Sequence, residues 1–161
     1  MKLLVTDECQ RLARWLRLMG YDTLIMPAQP LSALYQTAHN EDRIVLTRNQ
    51  RVRPGTLARV MLMRHTNIVD QLRQVERDLG EPDSRARFSR CDQCNAVVEA
   101  VTPEDVRGQV PPYVYQTQRT FRRCPACGKV YWSATHCDQI ASILRRVHGA
   151  AGTVGGGAHD A

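Results

Sequence analysis

Lysine, large aromatics and long apolar runs are all scarce in this chain. Of its 22 Lys and Arg residues only Lys2 and Lys129 are lysines, so the formal charge of +6 is carried by arginine. Guanidinium groups bind phosphate bidentately and stack on bases, so this balance points to nucleic acid as the partner, the plainer alternative being a solvated basic face. No run of about eighteen apolar residues and no charged-then-apolar leader occurs, so we expect neither a membrane span nor a secretory signal, and hence a cytoplasmic location. At 161 residues the chain holds one ordinary domain, or a small domain plus a module too short to build its own core.

Cysteine is present, and in a pattern. Two Cys-x-x-Cys hooks, Cys91/Cys94 and Cys124/Cys127, supply the four thiolates that a tetrahedral structural Zn²⁺ takes. Turn-formers lie inside and just after each hook, in Arg90-Cys91-Asp92-Gln93-Cys94-Asn95 and Arg123-Cys124-Pro125-Ala126-Cys127-Gly128, where backbone amides can reach the sulfurs. A zinc ribbon follows from this. A pair of disulfides or a redox hook is the competing reading, and His136 or Cys137 is an alternative ligand to one thiolate. Cys9 stands apart, either a buried inert thiol or one activated at a helix start.

Ahead of the hooks, hydrophobic periodicity alternates between strand and helix. Strands are expected at Lys2 to Thr6, Thr23 to Met26, Arg43 to Thr47 and Arg59 to Met63. Helices are expected over Gln10 to Met19 and Leu31 to His39, with a third capped at Asn67 and stopped by Gly80. This alternation predicts an α/β fold with a parallel sheet flanked by helices. Composition shifts at Glu81-Pro82-Asp83-Ser84, so we expect one domain over residues 1–84 and a zinc ribbon with a C-terminal helix over 85–148. The Gly-rich residues 149–161 read as a disordered tail. In the ribbon, strands are expected at Asn95 to Val101 and Lys129 to Trp132. The final helix carries a capping box at Thr135 and Asp138 and an apolar stripe of Ile140, Ile143, Leu144 and Val147.

In an open parallel sheet, ligands bind beyond the carboxyl ends of the strands. Asp7 and Glu8 follow the first strand, Thr47, Arg48 and Asn49 the third, and Asp70 sits in the first turn of the helix after the fourth. These form a candidate rim for a Mg²⁺ or Mn²⁺ nuclease, in which the metal clamps the scissile phosphate. Asp7 and Asp70 each have an alternative reading as a helix-capping residue. Asp22, Glu41 and Asp42 precede their strands and are expected as solvated charges at the opposite edge. Arg11, Arg14 and Arg17 recur on the helix face opposite the apolar stripe, where they are candidates for phosphate contact.

The strings Leu12-Ala13-Arg14-Trp15-Leu16-Arg17-Leu18-Met19-Gly20-Tyr21-Asp22 and Arg43-Ile44-Val45-Leu46-Thr47-Arg48 resemble the mut-seven C-terminal ribonuclease domain family. So do Arg87-Phe88-Ser89-Arg90-Cys91, Val110-Pro111-Pro112-Tyr113-Val114-Tyr115 and Phe121-Arg122-Arg123-Cys124-Pro125-Ala126-Cys127-Gly128-Lys129-Val130-Tyr131-Trp132, with Thr135-His136 following. The resemblance implies a PIN-like fold with an appended zinc ribbon, and a metal-dependent ribonuclease in which Asp7 is the first-strand aspartate. The chain departs from the family at Glu8-Cys9-Gln10, where a small apolar stretch is usual, and at Ala28-Gln29-Pro30-Leu31-Ser32, where a carboxylate is missing. It departs again at Asn49, where the family carries aspartate.

Two functions compete. In one, Asp7, Asp70, Asn49 and Glu8 form a catalytic Mg²⁺ or Mn²⁺ site. In the other, the acidic site has decayed and the chain is an RNA-binding adaptor. Arg11, Arg14, Arg48, Arg119, Arg122 and Arg123 would contact RNA in either case, with Tyr115, Phe121, Tyr131 and Trp132 offering stacking faces or else forming the ribbon core. Neither a small-molecule cofactor nor a particular oligomeric state is indicated.

Overall fold

The structure is a computed structural model that describes residues 1–132, 141–143 and 145–149. The capping box at Thr135 and Asp138, the alternative ligands His136 and Cys137, Ile140, Leu144 and residues 150–161 lie outside the described residues. No described helix is long and apolar enough to cross a membrane.

The first half is a doubly wound sheet. Four parallel strands, β1 (Lys2–Thr6), β2 (Asp22–Met26), β3 (Ile44–Thr47) and β4 (Val60–Leu62), are ordered β2-β1-β3-β4. The central strands bury both faces, so their sequences read as continuous apolar runs. Strand alternation sends Leu3 and Val5 of β1 to one face, where they meet Leu12, Leu16, Leu72 and Val75 from helices α1 (Gln10–Leu18) and α3 (Ile68–Leu79). Leu4 faces the other side, against Leu34 and Ala38 of α2 (Leu31–Asn40) and against Val52 and Ala58 of the β3–β4 connection. Helices on opposite faces mean that the winding direction reverses between β1 and β3. The carboxyl-end crevice between those two strands is therefore the topological switch point.

The second half is a three-stranded antiparallel sheet in the order β5-β6-β7, with β5 Glu99–Val101, β6 Phe121–Arg123 and β7 Val130–Trp132. The outer strands lie within the expected spans, and the middle strand β6 was not expected. Phe121, 1 % exposed, is the centre of its core, with Val106, Val110 and Val114 from the excursion that includes α4 (Pro112–Thr117). Phe121 is thus a core residue and offers no stacking face. Residues 141–143 and 145–148 are helical, and Ile143 and Val147 pack onto the α1/α3 side of the first core.

Two candidate centres: a thiolate cluster and the sheet rim

Each hook of the ribbon closes in the same way. The Asn95 and Gly128 N–H groups donate back to the Cys91 and Cys124 carbonyls at 2.9 Å, and both residues take left-handed φ, 70° and 76°. Asparagine and glycine tolerate that region better than other residues, so their place after each second cysteine is what lets the turn close. The two turns bring Cys91 Sγ to 3.6 Å from Cys127 Sγ, and Cys94 Sγ to 3.3 Å from Cys124 Sγ, with all four sulfurs within 4.8 Å of one another. Zn–S bonds of about 2.3 Å imply sulfur–sulfur edges of about 3.8 Å, so the four sulfurs fit a tetrahedral metal such as zinc.

The surroundings suit thiolates. Burial pushes the Cys91 thiol up, but the Tyr131 hydroxyl, 3.0 Å away, and the Cys94 and Gln93 N–H groups outweigh it and hold Cys91 at about 6. The Ala96 N–H favours a Cys94 thiolate, yet desolvation and the neighbouring sulfurs push that group up to about 12. Four thiolates this close repel one another, and a cation among them would relieve that repulsion.

One carboxylate ties this centre to the sheet. Asp92, 4 % exposed, accepts from Lys129 Nζ at 2.7 Å, Tyr131 Oη at 2.6 Å and Arg14 at 3.0 Å. Arg17 completes the joint. Expected on the solvent face, it is instead 4 % exposed and donates to the carbonyls of Thr23, Asp92 and Gln93. A guanidinium can be buried there because its fork meets three carbonyl acceptors. Asp22, expected as a solvated charge, is also engaged: it pairs with Arg43 at 2.8 Å and Arg90 at 3.4 Å and accepts from Asn95.

At the switch point the central group is Glu8. Its Oε1 accepts from Thr6 Oγ1 at 2.5 Å, Thr47 Oγ1 at 2.7 Å and the Arg48 N–H at 3.0 Å, so it bridges the carboxyl ends of β1 and β3. Partial burial raises the carboxyl, but these hydrogen bonds outweigh it and bring Glu8 down to about 2. Cys9 beside it is buried, and desolvation together with the Glu8 charge pushes its thiol up to about 11, which makes it inert.

The other rim residues are distributed as follows. Asp7 opens the short 3-10 turn Asp7–Cys9 and is exposed; the residue preceding α1 is Cys9, so Asp7 does not cap that helix. Asn49 Oδ1 accepts the Arg51 N–H at 3.0 Å, which closes the turn after β3. Asp70 does not complete a cap with Asn67, which caps α3 through Val69; it pairs with Arg73 at 3.0 Å. Arg73 in turn donates to the Val147 and Arg146 carbonyls, so Asp70 supports the C-terminal helical segment. Among the described residues, groups of three or more acidic, His or Cys ligand atoms within 4.8 Å are the four cysteines and the set Glu76, Glu81 and His148; Asp7, Glu8 and Asp70 do not form one. Arg11, Arg48 and Arg119 are exposed, while Arg122 and Arg123 are drawn to the Phe88 and Asp105 carbonyls.

The fold is thus α/β, a four-stranded parallel sheet flanked by helices with its crevice at β1/β3, followed by a four-cysteine antiparallel ribbon consistent with a zinc ribbon. The family model described as the Mut7-C RNAse domain matches residues 1–144, and the chain belongs to that family. No curated protein and no solved structure matches it. The first turn of α2 contains no acidic residue.

Proposed function

We propose that this chain is a metal-dependent ribonuclease whose reaction centre is the β1/β3 crevice, with Glu8 as its principal carboxylate. The observation that carries this reading is the position and ionisation of Glu8: three donors from two strand ends hold its Oε1 at the switch point and keep it charged. All three meet Oε1, and in this reading Oε2 is the atom offered to a cation. Asp7, next in the chain and exposed, adds charge at the mouth of the crevice, although consecutive residues of a 3-10 turn point about 120° apart. One or two carboxylates suit Mg²⁺ or Mn²⁺ that keeps most of its waters. Such an ion would neutralise charge on the scissile phosphate and lower the pKa of an attacking water.

The remaining roles belong to the chain. Glu8 stays anionic throughout the physiological range and so needs no other group to deprotonate it. Asn49 shapes the loop after β3 through its turn with Arg51, and in this reading orients the water. Arg48, whose N–H is bonded to Glu8, supplies positive charge for an RNA phosphate beside the crevice, and Arg11 does so from α1. The four cysteines hold structural zinc and take no part in cleavage.

A second reading, a decayed RNA-binding adaptor, is favoured by a different observation. Asp70 is committed to Arg73 and Asn49 to its own turn, so few free ligands remain for a catalytic ion. One experiment separates the two. Protein freed of loosely bound divalent ions is incubated with single-stranded and structured RNA, with and without Mn²⁺, beside Asp7→Ala and Glu8→Gln. Mn²⁺-dependent cleavage that is lost in Glu8→Gln and weakened in Asp7→Ala is expected. RNA retention without cleavage in all three proteins would favour the adaptor.

A further inference from the structure

The connection from β3 to β4 crosses the sheet without a helix, and it is fastened along its length. Asn49 Oδ1 and O accept the Arg51 and Val52 N–H groups, both at 3.0 Å. Val52, 3 % exposed, and Ala58, 9 % exposed, are packed into the α2-side core. Tyr35 of α2 then grips the loop with one hydroxyl, accepting the Arg53 N–H at 2.9 Å and donating to the Arg53 carbonyl at 3.0 Å. A loop tied in this way has already lost most of the conformational entropy that binding would otherwise remove.

Between those fastenings the loop displays Arg48, Arg51 and Arg53, all exposed. Among the described residues none of their side chains has a hydrogen bond or ion pair, a state they share with other exposed arginines such as Arg11 and Arg119; what sets them apart is that three occur on one fastened loop. Three unpaired guanidinium groups on one short, fastened loop concentrate positive charge that an anion with several charges would neutralise. Their order leads away from the crevice. Arg48 is at Glu8, Arg51 follows in the Asn49 turn, and Arg53 is clasped by Tyr35, which lies about one helical turn from the rim end of α2.

We infer that Arg48, Arg51 and Arg53 form a pre-organised track for the phosphate backbone of RNA, leading it over α2 to the Glu8 crevice. This inference rests on the ribonuclease reading for its ligand. Residues 48 to 59 contain no aromatic ring, and the Tyr35 hydroxyl is committed to the loop, so the loop's contribution to binding is chiefly charge on phosphate.

The test is binding of a fluorescent single-stranded oligoribonucleotide, with no divalent ion added and probe integrity checked by gel, so that cleavage plays no part. Arg51→Gln with Arg53→Gln should weaken binding by about tenfold or more at low salt and reduce the slope of log K against log salt by about 1.4, the loss of two phosphate contacts. The loss should be equal for oligonucleotides of different sequence. Tyr35→Phe keeps every charge and should weaken binding with the slope unchanged. An unaltered slope in the double variant overturns the track. Equal competition by polyglutamate would overturn RNA as its ligand in favour of an acidic protein. Failure to cleave RNA, with these binding results intact, would overturn only the reaction assigned to the crevice.

Discussion

Glu8 lies one residue beyond the aspartate that the family resemblance points to, and three hydrogen bonds distinguish it. Its partners come from residues two and about forty positions away, Thr6, Thr47 and Arg48, so its setting depends on the β1/β3 register and could not be read from local sequence. Arg17 was misjudged for a related reason. Its helical position predicts exposure, and only the arrival of the first Cys hook against α1 and β2 buries it. The Glu8 bonds have a pH consequence. The carboxyl falls from 4.5 unfolded to about 2 folded, so its stabilisation is complete above about pH 4.5 and is lost as pH falls through 2. Because the side chain is exposed, screening reduces this to on the order of 1 kcal/mol. The stability gap between wild type and Glu8→Gln should therefore narrow between about pH 6 and about pH 2.5 in urea titrations. A gap of constant size would mean that the charged form is not what the threonines hold.

Among the elements, those with strong periodicity were legible and the short ones were not. The spans of α1, α2 and α3 and the four parallel strands agree with their apolar spacing to within about two residues, the usual uncertainty of helix and strand ends. Strand β6 was missed because a three-residue strand with one apolar side chain carries no alternation to detect. The two hooks were fully legible, since their chemistry depends on spacing alone. If they hold zinc, the ribbon should depend on it, because its apolar core is small. Zinc analysis should find one ion per chain. Its removal by a tight chelator should alter the near-ultraviolet signal of Tyr131 and Trp132 while most helical signal persists. An unchanged signal after complete zinc loss would contradict a structural role.

At the scale of the molecule, the sheet and the ribbon are joined by polar contacts across the chain segment where composition shifts. Arg14 and Arg17 reach Asp92, Asn95 reaches Thr23 and Asp22, and the Phe88 N–H donates to the Leu18 carbonyl at 2.8 Å. Gly20 is where the backbones of the two halves come close together. Its φ is +99°, and a Cβ there would lie 2.4 Å from the Ala86 carbonyl oxygen, so backbone and not a flexible side chain would have to move. Gly20→Ala should cost about 2 kcal/mol or more in urea unfolding, through strain at positive φ and the displaced linker. Wild-type stability in that variant would show that the halves are not closely docked at this point.

The assignment of function rests most heavily on one side chain of the β1/β3 rim. The most direct measurement is the single-turnover rate of RNA cleavage with Mn²⁺ for wild type and for Glu8→Gln, which keeps size and hydrogen-bonding capacity but removes the charge. The rate should fall by about a hundredfold or more while RNA affinity without metal stays within about twofold. Equal cleavage rates in the two proteins would contradict the account.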